Sequence, residues 1–306
     1  MDSTGKAEEE MPIASNTSRP ADGRTRFRWL AATASLALVG TAAYLWMAEE
    51  ALAKQVVVGA NVPAGERISF DQIDHTPWTK LLETYVDEEG MVNYSTWLGT
   101  PEDVARLDAY LAHLSSGDSD AESSREATLA FWINAYNAVT VKGILREYPT
   151  ASIKDHTPLV GYNIWKHLLL QVGDQQISLN DIEHEVLRKM KEPRIHFAIV
   201  CASIGCPRLL NEAYTAETLD EQLTANARNF FTQNRNFLID GRSNSVHLSS
   251  ILKWFAEDFG KNSAAQIKTI SPFLPNDQAR HVISSPGVQV EFLEYDWNLN
   301  EQTESR

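Results

Sequence analysis

The chain has 306 residues, 43% hydrophobic and 22% charged, with eight Trp, nine Tyr and eleven Phe to fill a core. That composition excludes a long disordered protein. A formal net charge of −14 argues against nucleic acid as a partner, because phosphate binding draws on clustered Lys and Arg.

Residues 1–28 form a polar tail ending in Arg24, Arg26 and Arg28. Residues 30–47 then carry no charge. With Trp29 this run, at ~1.5 Å per residue, is just long enough to cross a hydrocarbon core of ~30 Å. Trp29, Tyr44 and Trp46 stand near its ends, where amphipathic rings favour the membrane interface. The arginines before it and Glu49 and Glu50 after it place the N-terminus in the cytoplasm and the rest outside. The sequence thus predicts a single-pass transmembrane anchor over 29–47 in the cytoplasmic membrane, with the main domain outside, in the periplasm if the cell is Gram-negative. Ala51-Leu52-Ala53 supports a rival, a signal sequence cleaved near Ala53 with the domain secreted. A third option is a cytoplasmic protein with a buried apolar helix. The first two both export the domain.

Residues 48–70 read as a linker, to which Val56-Val57-Val58 and Pro63-Ala64-Gly65 can add a strand and a turn. Residues 71–300 read as one domain, since no linker divides them, followed by a tail over 301–306. Helical patterning covers 75–87, and Met91-Val92-Asn93-Tyr94 reads as a short strand. Pro101 opens a helix with Val104, Leu107, Leu111 and Leu114 at helical spacing. The strongest helix covers 124–148 and stops at Pro149. Being apolar almost all round, it is expected at the centre of the core. Two asparagines inside it, Asn134 and Asn137, must then find buried hydrogen-bond partners.

A hairpin is expected over 167–177 around Gly173-Asp174. Ser178 or Asn180 caps a helix over 181–190. A short strand covers 195–201 and an amphipathic helix 215–233. Phe237-Leu238-Ile239 and Val246-His247-Leu248 flank Asp240-Gly241 as a second hairpin. Helices follow over 249–259 and 263–274, and 288–295 alternates like a last strand. The expected class is α+β, a single globular domain with a central buried helix and a mainly antiparallel sheet.

Three stretches can carry chemistry. Both cysteines lie in residues 194–207, where Gly205 and Pro207 promote a turn at a strand end. Outside the cytoplasm a Cys201–Cys206 disulfide is the default. It closes too short a loop to be explained by stabilisation alone. The alternatives are a reactive or redox thiol, activated by Arg208 or a helix N-terminus, and two unpaired structural thiols. A metal is not expected, because two cysteines supply half a tetrahedral site and the Cys-x4-Cys spacing is unspecific; no cofactor is indicated either. His196 cannot pair with Cys201 along a strand, since side chains five apart face opposite ways. It can approach Cys206 if the turn folds back; the plain alternative is a satisfied, partly buried histidine.

Glu183, His184 and Arg188 form the second stretch. On a helix, Glu183 shares a face with Leu187, and His184 shares the next with Arg188. They can make an acid/base or anion-binding cluster, or simply a solvated charged face. The third is Asp296, which can orient a histidine or cap a turn. A His-Glu-x-x-His zinc motif, a phosphate loop, a dinucleotide glycine fingerprint and a Gly-x-Ser-x-Gly elbow are all absent.

Four blocks in order carry a resemblance: residues 130–138, residues 178–184, residues 194–198 with Cys201 through Cys206-Pro207, and residues 295–300. Over about 78–300 the chain resembles the domain-of-unknown-function family 547. The resemblance implies that Asn134, Asn137, Glu183, His184, Arg188, His196, Cys201, Cys206 and Asp296 stand at family motif positions, without naming a reaction.

Three functions stay open. The first is an envelope module that binds a small molecule or a protein, with the cysteines oxidised and with Asn137 and Arg188 among its binding residues. The second is a thiol-dependent hydrolase or acyl transferase. It would use Cys206 or Cys201 as nucleophile, His196 or His184 as base with Glu183 beside them, and Asn134 or Asp296 to orient the base. The third is a thiol–disulfide exchange protein, for which Cys-x4-Cys is an unusual spacing.

Overall fold

The central helix, Arg125–Glu147, is where its apolar content demands. In the computed structural model, which describes residues 54–156, 163–240 and 244–303, it is buried on every face over 129–145. Ser124 caps its start, accepting the Ala127 N–H at 3.1 Å, and its end precedes Pro149. The one cation in the buried stretch, Lys142, is neutralised by Asp108 at 2.5 Å. Gly143 lets the short helix Ile164–His167 approach, because a Cβ there would sit 2.6 Å from Ile164.

Helices Tyr94–Leu98 and Pro101–Leu114 pack against this axis, and Thr76–Tyr85 packs on both of them. Trp78 stacks on Tyr110 at 5.7 Å and Tyr85 on Trp97 at 4.6 Å. Such ring pairs add to what apolar burial already contributes. The described residues all belong to one compact unit, Leu52–Arg306. They form two apolar cores. The larger surrounds the central helix. The smaller gathers Phe197, Phe230, Phe231, Val246, Leu252 and Phe259.

Two three-stranded sheets flank these cores. In the first, β2 (Leu168–Val172) pairs antiparallel with β3 (Gln175–Ser178) and parallel with β1 (Val56–Val58). In the second, β5 (Ser245–Leu248) pairs antiparallel with β4 (Phe237–Asp240) and parallel with β6 (Gln289–Phe292). Both expected hairpins are present, although Gly241 lies outside the described residues. The expectation of a mainly antiparallel arrangement needs correcting: each sheet joins one antiparallel and one parallel pair. The hairpin fixes the first, while a strand returning from far along the chain is free to run either way.

Other expectations change in detail. Val56–Val58, inside the stretch read as linker, is bonded into the first sheet. Gln302, inside the stretch read as tail, donates from its backbone N–H to Val92. The folded body therefore extends on both sides of residues 71–300. Met91–Tyr94 is not a strand: only Val92 bridges, to Val86 and Glu301, and Tyr94 already begins a helix capped by Asn93. The helix expected over 249–259 breaks at Phe255 into Ser250–Trp254 and Ala256–Phe259. A helix not anticipated, Asp277–Ile283, is capped by Asn276.

The expected transmembrane run over 29–47, with Ala51-Leu52-Ala53, lies outside the described residues. Among the described residues no helix is long and apolar enough to cross a membrane.

Candidate functional site

Residues 195–201, expected as a strand, join no sheet. They form a 3-10 turn, Pro193–Phe197, followed by a segment without regular secondary structure. Their backbone groups must still be satisfied, and buried side-chain amides do it. Asn137 Nδ2 donates to the Ala198 carbonyl at 3.0 Å, and Asn137 Oδ1 accepts the Val200 N–H at 3.0 Å. Asn226 Nδ2 donates to the Phe197 carbonyl at 2.7 Å. Asn134 does the same for Tyr214, donating to its carbonyl at 2.7 Å and accepting its N–H at 2.9 Å. Asn134 and Asn137 thus pin neighbouring backbone.

The segment leads into the cysteines. Cys201 and Cys206 are paired as a disulfide, with Cα atoms 6.4 Å apart. Cys206 is buried and Cys201 half-buried. The Cys201 N–H donates to Cys206 Sγ at 2.9 Å. Tyr295 Oη lies 3.0 Å from each sulfur. Gly205 is required here, since a Cβ would meet the backbone N of Asp296 at 2.9 Å.

The disulfide walls a cavity of about 160 Å³ at the seam between the two cores. Its aromatic lining is Tyr136, Trp165, Trp254, Phe255, Tyr295 and Trp297. Tyr295 packs 4.9 Å from Trp254 and 4.5 Å from Trp297, and Trp254 stacks on Trp297 at 5.8 Å. Trp254 is 47% exposed, an unusual state for so large a ring in an aromatic cluster.

Glu183 and His196 line the same cavity. Glu183 stands on a helical run that Ser178 caps and that widens into an i→i+5 turn over Ile182–Leu187. Such turns recur at functional sites. Tyr136 donates its O–H to Glu183 Oε2 at 3.2 Å. Burial pushes the Glu183 carboxyl up to about 7, against the pull of the Tyr136 hydrogen bond and of Arg188. His196 Nε2 bonds Asp258 Oδ2 at 2.8 Å, and its ring stacks on Phe255 at 4.2 Å. Burial brings the imidazole down to about 4, despite Asp258, so it is neutral at physiological pH. Burial raises the Asp258 carboxyl, but hydrogen bonds from Arg188 and His196 outweigh this and hold it below its ordinary value.

Arg188 is fully engaged. It donates to Asp258 Oδ2 at 2.6 Å and Oδ1 at 3.0 Å, and to Glu257 at 2.6 Å. His184 Nδ1 lies 3.0 Å from Arg188, the helical pairing expected at that spacing. Neither residue lines the cavity. Asp296 caps a turn, accepting from the Asn298 N–H at 2.9 Å and its side-chain amide at 2.8 Å. The carboxylate that orients a histidine is Asp258 instead. Sequence reasoning missed it inside an apparently regular helix; the one signal was the adjacent pair Glu257-Asp258 between two phenylalanines.

Of the candidate residues, Glu183, His196, Cys201 and Cys206 therefore converge, and Asn134, Asn137, His184, Arg188 and Asp296 do not. A family model described as "Protein of unknown function, DUF547" matches residues 121–231. The DUF547 match takes in Tyr136, Glu183, His196 and both cysteines, and stops short of Asp258 and Tyr295; it is narrower than the span of about 78–300 expected from the motifs. No curated protein and no solved structure matches the chain.

Proposed function

We propose that this chain is a membrane-anchored, extracytoplasmic ligand-binding module whose site is the aromatic cavity. The observation that carries the reading is the cavity lining itself: among the described residues, six rings, a half-exposed Trp254 and a single protonatable carboxyl around about 160 Å³. Pockets of this make-up, mostly apolar with few polar groups, are what small molecules occupy. The apolar run over 29–47 supports the location, as do paired cysteines, which persist outside the cytoplasm. The pairing also argues against a thiol nucleophile, because neither sulfur is free in the oxidised protein.

Filling the cavity tests the reading. Titrating the full chain with 3,3-dimethyl-1-butanol should give a saturable change in tryptophan fluorescence. Ile251→Trp, which places a ring in the cavity, should abolish that change while leaving the melting temperature within a few degrees. A response that persists in Ile251→Trp, or none in the wild type for this alcohol or any charged analogue, would sink the proposal.

A second reading, thiol–disulfide exchange, is favoured by the donors around the sulfurs. An external thiolate attacking half-buried Cys201 Sγ forms a mixed disulfide and breaks the Cys201–Cys206 bond. The electron pair leaves on Cys206 Sγ, where the Cys201 N–H and the Tyr295 O–H hold the thiolate. A hydrogen bond to a charged sulfur is worth roughly 1.5 kcal/mol. Tyr295→Phe should therefore slow opening of the disulfide by dithiothreitol about tenfold, followed by thiol labelling. An unchanged rate would remove this reading.

A further inference from the structure

The charges in the cavity lining are one-sided. Among the described residues Glu183 is the only carboxylate in its lining, and no Lys or Arg lines it. His196 is there, but neutral and bonded to Asp258. The groups that face Glu183 are Tyr136 from the central helix, Tyr295 from the C-terminal segment, Arg188 from its own helical run, and Asp258 from Ala256–Phe259. Arg188 alone among them is a cation, and its guanidinium is spent on Asp258 and Glu257. A carboxylate among aromatic rings without a cation of its own is an incomplete arrangement. Its ionised form is poorly solvated, which is why it retains its proton up to about 7.

An anionic ligand would meet like charge there, and a neutral one would gain only from apolar burial. A cation with apolar substituents gains twice, from the carboxylate and from the negative faces of the rings. One lining ring already holds a cation: Lys154 Nζ lies 4.7 Å from the centroid of Trp297. We propose that the cavity binds a small alkylated ammonium group, with Glu183 as its counter-ion and the tryptophans and tyrosines as its walls. This rests on the reading that the cavity is a binding site, and adds the class of ligand.

Choline and its uncharged isostere 3,3-dimethyl-1-butanol separate the two claims. Both are titrated calorimetrically into the full chain at pH 6 and pH 8, at constant ionic strength, with Glu183→Gln alongside. Choline should bind at least tenfold more tightly than the alcohol at pH 8. Its affinity should fall about tenfold at pH 6, where the Glu183 carboxyl takes up its proton. Glu183→Gln should remove both the preference and the pH dependence while still binding the alcohol. Equal binding of the two probes, or choline binding that ignores pH or survives Glu183→Gln, overturns the cation and leaves the cavity as a site for neutral ligands. Binding of neither probe to the wild type overturns both.

Discussion

Asn137→Ala should lower the stability of the domain by about 4 kcal/mol, because it strands two buried backbone groups at a cost of ~1–3 kcal/mol each. The Ala198 carbonyl and the Val200 N–H have the Asn137 amide as partner in place of a neighbouring strand. Nothing in the core can substitute, since Asn137 is 1% exposed and Ala198 and Val200 are buried as well. For a domain of this size the melting temperature should fall by roughly 8–16 °C. The damage should reach the site too, because the pinned segment runs directly into Cys201. A shift in the near-ultraviolet dichroism of the cavity tryptophans would report it. Asn298→Ala, on an exposed turn, serves as the comparison and should cost little. A melting temperature for Asn137→Ala within about 2 °C of the wild type would show that the segment is held by something else.

Glu183→Gln should act in the opposite direction and should do so only above acidic pH. The carboxyl holds its proton up to about 7 in the fold, against an ordinary value near ~4.3 in the unfolded chain. Its folded value is raised, so its contribution is complete below about pH 4.3 and is lost as the pH rises through 7. By pH 8 the buried charge costs the wild type about 3 kcal/mol. Gln keeps an acceptor for the Tyr136 O–H and carries no charge. The variant should therefore melt with the wild type near pH 4 and above it by roughly 6–12 °C at pH 8. His196 acts with the other sign. Its folded value of about 4 is depressed, so stability is lost as the pH falls from about 6.5 towards 4. That loss is common to both proteins and cancels in their difference. If the two proteins melt together at pH 8, the carboxyl is not the buried, proton-holding group described above. A residue that weakens its own fold at neutral pH is one that a binding site would retain and a scaffold would not.

The expectations that held rest on local chemistry. The apolar composition of residues 129–145 puts the central helix in the core whatever surrounds it. Ser124, Ser178 and Pro149 mark helix boundaries through their own hydrogen-bonding and steric properties. Gly173-Asp174 makes its hairpin for the same reason. His184 and Arg188 meet because helical spacing brings them together.

What failed depended on partners remote in the chain. Residues 195–201 have the composition of a strand, and only the positions of Asn137 and Asn226 make another conformation self-consistent. Asp258 took the role offered to Asp296 because helix Ala256–Phe259 packs beside His196, a contact across sixty-two positions that no local pattern encodes. No local pattern singles out Tyr136 or Tyr295; the fold sets them against Glu183 and the sulfurs.

By itself the sequence determined the class of fold, the central helix, the two hairpins and the cysteines as the place to look. Each follows from propensity, burial or short-range geometry. Only the tertiary structure decided which polar residues are scaffold and which face a cavity. A side chain's role depends on what lies against it, and those neighbours come from opposite ends of the chain.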